Sequence, residues 1–103
     1  MEDGGSDITA IALAKALGLK ECEIFKDVDG IYSDDPNKNK CATKYKQISY
    51  NKMIEMAKNG AKVLHYKCVE IAKEENIKII VKSTFNFENV GTIIDKEGEI
   101  IWV

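Results

Sequence analysis

Residues 4–30, GGSDITAIALAKALGLKECEIFKDVDG, decide the fold, because a helical pattern passes directly into a strand pattern within them. Gly4-Gly5-Ser6-Asp7 is a flexible opening in which Ser6 or Asp7 can accept the free N–H groups of a first helical turn. From Ile8 to Leu17 apolar residues fall on nearly every side, which predicts a deeply buried helix. Gly18 supplies its C-terminal stop. Cys22 to Val28 then reads as a strand, closed by the turn pair Asp29-Gly30.

Downstream, Ile31 to Lys46 reads as a long polar loop, and long loops in compact domains are often functional. Ser49 is placed to cap a helix, with Ile48 and Met53 as its hydrophobic staple. Tyr50, Met53, Ile54 and Ala57 share one helical face, and Asn59-Gly60 ends that helix. A further helix is predicted from about Val63 to Glu75, with Leu64, Cys68, Ile71 and Ala72 inward and Asn76 as its stop. Ile77, Ile79 and Val81 alternate as in a strand, and Ile80 makes it a central one. After a loop through Phe85 to Gly91, Thr92–Asp95 and Glu99–Val103 are predicted to form a hairpin. This order predicts an α/β fold, three layers (α/β/α) with a partly parallel sheet, in a single domain over 1–103.

The 103 residues are 45% apolar and 31% charged, with a formal net charge of −2, which favours neither a nucleic-acid nor a membrane partner. No apolar run approaches the ~20 residues a bilayer span needs, and Met1-Glu2-Asp3 is unlike a signal peptide, so the expected location is cytoplasmic. Cys22, Cys41 and Cys68 are odd in number and far apart, each in or beside an apolar run, and are expected as buried free thiols. All 15 basic residues are lysine, although arginine is the usual clamp for phosphate and carboxylate.

Ligands in open α/β folds bind where strands end and helices begin. Gly4-Gly5 before a capped helix either presents bare N–H groups to an anion or is simply a turn. Asp27-Val28-Asp29-Gly30 is likewise a ligand-facing strand end or a plain turn, and its early glycine rules out a calcium loop. Lys62, between two helices, either meets a phosphate or is a solvated loop lysine. His65, the single histidine, has no nucleophile or acid partner by spacing and reads as structural. No metal site is predicted.

Four segments together resemble the aspartokinases: GGSDITAIALAKALG at 4–18, DVDGIYSDDP at 27–36, ISYNKMIEMAKNGAKVLH at 48–65 and IIVKSTFN at 79–86. The DVDG…DP element is shared with other amino acid kinases and with bacterial uridylate kinases, whereas GGSD, GAKVLH and KSTF point to aspartokinase. The resemblance covers about residues 4–95 and implies the C-terminal, nucleotide-binding half of an amino acid kinase (carbamate kinase-like) domain. It implies transfer of a phosphoryl group from ATP to the side-chain carboxylate of L-aspartate, the first step towards lysine and related amino acids, with Mg²⁺ carried by the nucleotide. Carried over residue by residue, it places substrate contacts at Gly4, Gly5 and Ser6 and a catalytic, organising role at Asp7. Nucleotide contacts fall at Lys26, Asp27 and Tyr32, and at Lys62 and Val63.

Departures from the pattern are specific. Where aspartokinases carry arginine, this chain has Asp3 before GGSD and Asn37 after the DP pair; their Pro-Arg after GAKVLH is Tyr66-Lys67. At ~4 Å and an effective dielectric of ~20 a unit charge on a carboxylate is worth about 4 kcal/mol, so an aspartate for an arginine is a severe change. The family's N-terminal half, with its K-F-G-G-[TS] lysine, is not among these residues. The expectation is an isolated chain without turnover, which forms a homodimer or associates with an N-terminal half and needs that half to bind L-aspartate. A degenerate nucleotide-binding or partner-subunit module and a uridylate-kinase-like protein are the alternatives.

Overall fold

The computed structural model describes residues 5–35, 37–61 and 63–102. Helix α1, Gly5–Ala16, begins one residue before Ser6, so Ser6 and Asp7 lie inside its first turn instead of capping it. It ends as expected at Gly18, whose φ of +68° turns the chain back. The Leu19 N–H reaches the Ala14 carbonyl at 2.9 Å and the Gly18 N–H reaches that of Lys15 at 3.1 Å, a Schellman turn. The expected burial on every side is corrected: Ile11 and Ala14 are buried, but Leu13 and Leu17 are 58% and 64% exposed. Among the described elements α1 packs chiefly on α3 and the first strand.

That strand, β1, runs Glu21–Lys26, shorter than expected, so Asp27 and Val28 belong to the following loop. β2, Tyr45–Ser49, emerges from the end of the segment read as a loop. It leads into α2, Tyr50–Lys58, where the Ser49 side chain accepts the Lys52 N–H as the sequence implies. Ile48 and Met53, the expected staple, are both wholly buried in one cluster. α3, Tyr66–Glu75, starts later than expected because His65 caps it, its Nδ1 accepting the Lys67 N–H. Asn76 ends α3 in the left-handed conformation. β3 is Lys78–Ser83, β4 is Asn86–Asp95 and β5 is Ile100–Ile101.

The five strands form one sheet in the order β1-β3-β4-β2-β5. β1 and β3 are parallel, as are β2 and β4; β4 is antiparallel to β3, and β5 to β2. The α/β class with a partly parallel sheet is therefore present. The predicted hairpin is not. β4 already has β3 on one side and β2 on the other, so the terminal segment pairs with the open side of β2. The real hairpin joins β3 to β4 through Thr84-Phe85, with Ser83 opposite Asn86, and takes up the segment read as a loop.

Pleating sorts the sheet. Ile24, Ile79, Val81, Ile94 and Ile48 face the helices and form the core with Ile11, Met53, Leu64, Cys68, Val69 and Ala72. α1 and α2 both pack on α3, so the described helices make one layer on that face. The other face carries Glu23 paired with Lys82 at 2.5 Å and Lys78 paired with Asp95 at 3.8 Å, beside a half-exposed Phe25. Cys68 is buried and Cys22 half-buried, but Cys41 is exposed, contrary to expectation, because it lies in the polar loop before β2. None of the described helices is long and apolar enough to cross a membrane.

Candidate functional site

Topology brings the singled-out segments to one edge of the sheet. α1 runs into β1 and α3 runs into β3, and β1 and β3 are parallel. The N-terminal ends of both helices therefore lie at the edge where both strands finish, with Lys26 beside Ser83. β2 runs the opposite way and starts at this edge, and β5, antiparallel to β2, ends there. This is the edge at which open α/β sheets take ligands.

Asp7 and Lys26 meet there. The Lys26 Nζ donates to Asp7 Oδ2 at 2.7 Å, and the Asp7 side chain is only 5% exposed. A buried carboxylate needs a partner, and the β1 terminus supplies it. Lys26 is itself fixed by its backbone, whose carbonyl accepts from the Thr84 N–H at 2.8 Å and the Thr84 hydroxyl at 3.2 Å. Burial, helped by the nearby Asp7 charge, pushes the Cys68 thiol up to about 12, and the same influences, with Glu23, raise Cys22. Both thiols stay neutral and belong to the packing.

The loop after β1 forms a second cluster. Asp27 is exposed. The Tyr32 hydroxyl donates to the Asp29 carboxylate at 3.0 and 3.2 Å, and Lys44 Nζ stands 3.5 Å from the same carboxylate. Burial, then the Asp29 hydrogen bond and charge, hold the Tyr32 hydroxyl above its usual range, so it remains a donor. Ser6 is exposed at the start of α1 and Val63 is half-buried against the core below α3. Gly4 and Lys62, like Asp3, lie outside the described residues.

Residues 2–83 match the amino acid kinase family. The chain belongs to that family. Within it, this amino acid kinase chain is 48% identical over 96 residues to the aspartokinase of Helicobacter pylori, covering 93% of the chain and 24% of that protein. It is 47% identical over 91 residues to that of Mycobacterium tuberculosis, covering 88% and 21%. It thus spans under a quarter of the length of these relatives. Among solved structures it is similar to E. coli aspartokinase III in complex with aspartate and ADP (TM-score 0.85, 38% identity, 93% of this chain and 22% of that one). UMP kinase from Bacillus anthracis shares the fold at 21% identity (TM-score 0.81, 95% and 43%).

Two residues of this amino acid kinase chain that sequence reasoning passed over organise the site. Thr92, wholly buried on β4, accepts the Ile31 N–H at 2.9 Å and donates to the Tyr45 carbonyl at 2.7 Å, pinning the loop after β1 to the sheet. Gly91 lies against that loop so closely that a Cβ there would overlap the Asp29 carbonyl. Only the spacing Gly-Thr within an apolar run hinted at either. A cavity of about 250 Å³, lined by Ser49, Tyr50, Asn51, Lys73, Asn76 and Lys96, sits at the opposite edge, where β3 begins. It shares no residue with the candidate site. Among the described residues no three His, Cys, Asp or Glu side chains are grouped to hold a metal ion.

Proposed function

We propose that this chain is the nucleotide-binding portion of an aspartate kinase, acting in the cytoplasm at the head of a lysine-forming pathway. The observation that carries this is the similarity to aspartokinases over about nine-tenths of the chain, at 46–48% identity. Identity to the uridylate and UMP kinases is lower, at 21–28%, which favours aspartate over UMP as the acceptor. In this reading ATP, with magnesium on its phosphates, lies across the edge formed by β1, β3 and the helix N-termini. Lys26, Asp27, Tyr32, Lys62 and Val63 are the chain's contacts to the nucleotide. Gly4, Gly5 and Ser6 offer backbone and hydroxyl groups to the amino acid. Asp7 organises the site by holding Lys26, the ion pair at 2.7 Å being its support. Such transfers rest on alignment and charge stabilisation, so a lysine of fixed direction near the phosphates is the useful product of that pairing.

The 103 residues bind nucleotide but do not turn over aspartate unaided, because the family's K-F-G-G-[TS] lysine is not among them and Asp3 stands where the family pattern has arginine. Titration calorimetry with ADP and an aspartate-dependent ADP-release assay, each with and without an aspartokinase N-terminal half, test this. Nucleotide binding without turnover, reduced by Tyr32→Ala and Lys62→Ala, is expected. Absence of ADP binding, or UMP acting as acceptor, sinks the reading; turnover by the chain alone sinks its inactive status.

A further inference from the structure

Lys44 stands at the functional edge just before β2, outside every segment that carries the family resemblance. Its ammonium lies 3.5 Å from Asp29 Oδ2, and Asp29 in turn accepts the Tyr32 hydroxyl at 3.0 Å. Its stem passes over Gly30, where a Cβ would come within 2.9 Å of the Lys44 Cε. The backbones of Lys44 and Tyr32 form an isolated antiparallel bridge, so the two side chains are set by one piece of local structure.

Trp102 braces this arrangement from the far side. Its indole N–H donates to the Gly91 carbonyl at 2.9 Å, and its backbone N–H donates to the Lys44 carbonyl at 2.9 Å. The Lys44 and Lys46 ammoniums lie 5.8 and 5.2 Å from its ring centroid, within cation–π reach. Gly91 is the residue against which the Asp29 backbone packs. The start of β2 and the loop after β1 thus meet at the Asp29 carboxylate, which accepts the Tyr32 hydroxyl, while the terminal segment braces the lysine beside it.

We propose that Lys44, braced by Trp102, is a positioning residue for nucleotide binding: it fixes Asp29 and, through Asp29, presents Tyr32 to the ligand. This rests on the nucleotide reading given above. Without Lys44 the Asp29 carboxylate loses its paired cation and swings towards water, and Tyr32 loses the acceptor that holds its hydroxyl. Arginine restores the charge and the reach; alanine restores neither.

The test is ADP affinity by calorimetry for the chain and for Lys44→Ala, Lys44→Arg, Asp29→Asn and the double variant Lys44→Ala/Asp29→Asn. The expected result is about tenfold weaker binding for Lys44→Ala and Asp29→Asn, with melting temperatures within a few degrees of the parent. Lys44→Arg stays within about threefold, and the double variant is no weaker than either single, because both act through one contact. If Lys44→Ala melts early, Lys44→Gln, which keeps most of the stem, carries the same expectation. Unchanged affinity in Lys44→Ala, additive losses in the double variant, or no rescue by arginine overturns the proposal. Tighter ADP binding by Asp29→Asn also overturns it, since that is the mark of a lysine that touches the nucleotide itself. Failure of the unaltered chain to bind ADP removes the nucleotide reading and this inference together; the other outcomes remove the inference alone.

Discussion

Asp7 and Lys26 are each ordinary in the sequence and meaningful only as a pair. Removing the lysine leaves a carboxylate with a 5% exposed side chain uncompensated, whereas replacing both with apolar residues leaves nothing unpaired. Lys26→Met is therefore expected to cost about 3 kcal/mol, near the lower end for broken buried pairs because Lys26 is partly solvated, and Asp7→Leu/Lys26→Met less than about 1 kcal/mol. Urea denaturation of both variants checks this; equal losses would mean the pair is no more than a surface contact. A second residue-scale outcome concerns Tyr50, whose buried hydroxyl donates to the Ile77 carbonyl at 2.6 Å and is pushed by burial up to about 12. The unfolded tyrosine ionises near pH 10, so between about pH 10 and 12 the unfolded chain binds fewer protons and stability falls as pH rises. At pH 11 this amounts to about 1 kcal/mol, a loss that Tyr50→Phe should not show. Comparing unfolding midpoints at pH 8 and pH 11 decides it: parallel declines in the two proteins would count against a buried, protonated Tyr50.

At the scale of elements, four helix ends were legible because their signals are local, whereas the starts of α1 and α3 were not. Gly18, Ser49, Asn59-Gly60 and Asn76 stop or start helices where their own backbone and side-chain chemistry says they should. Strand pairing was not legible, because nothing in Tyr45–Ser49 or Ile100–Ile101 names its neighbour. Likewise the Thr84-Phe85 turn lacks the Gly or Asn that usually marks a hairpin. Two glycines separate these levels. Gly18 has φ +68° and no atom within 4 Å of a would-be Cβ, so Gly18→Ala should cost only the left-handed backbone penalty, about 1–2 kcal/mol. Gly91 meets the Asp29 and Val81 carbonyls, both backbone, so Gly91→Ala should cost about 3 kcal/mol or more and loosen the loop after β1. Thermal melts of the two variants test the ranking, at roughly 4–8 °C per kcal/mol for a domain of this size. A Gly91→Ala melt no lower than that of Gly18→Ala would refute the close approach.

At the scale of the whole molecule, the described helices cover one face of the sheet. Leu13, Leu17 and Leu19 remain about half exposed or more on and after α1, and β1 is an edge strand with Phe25 half exposed. Apolar surface and an open edge of this kind favour association. The chain is accordingly expected to form a homodimer or to bind a separately supplied aspartokinase N-terminal half. Leu13→Lys/Leu17→Lys should weaken that association, since α1 places the pair outward. Sedimentation over a wide concentration range checks it, and a strict monomer that also ignores the N-terminal half would reject it. The sequence by itself determined the three described helices, their ends at Gly18, Ser49, Asn59-Gly60 and Asn76, the α/β class and the family resemblance, because each follows from the periodicity or chemistry of contiguous residues. Tertiary structure alone decided which strands are neighbours, which face of a largely apolar helix stays bare, and that Asp7 finds Lys26, Lys44 finds Asp29 and Trp102 finds Lys44. Those contacts join positions 15 to 58 residues apart along the chain, and only the packing of the sheet selects them from the many pairings that local chemistry allows.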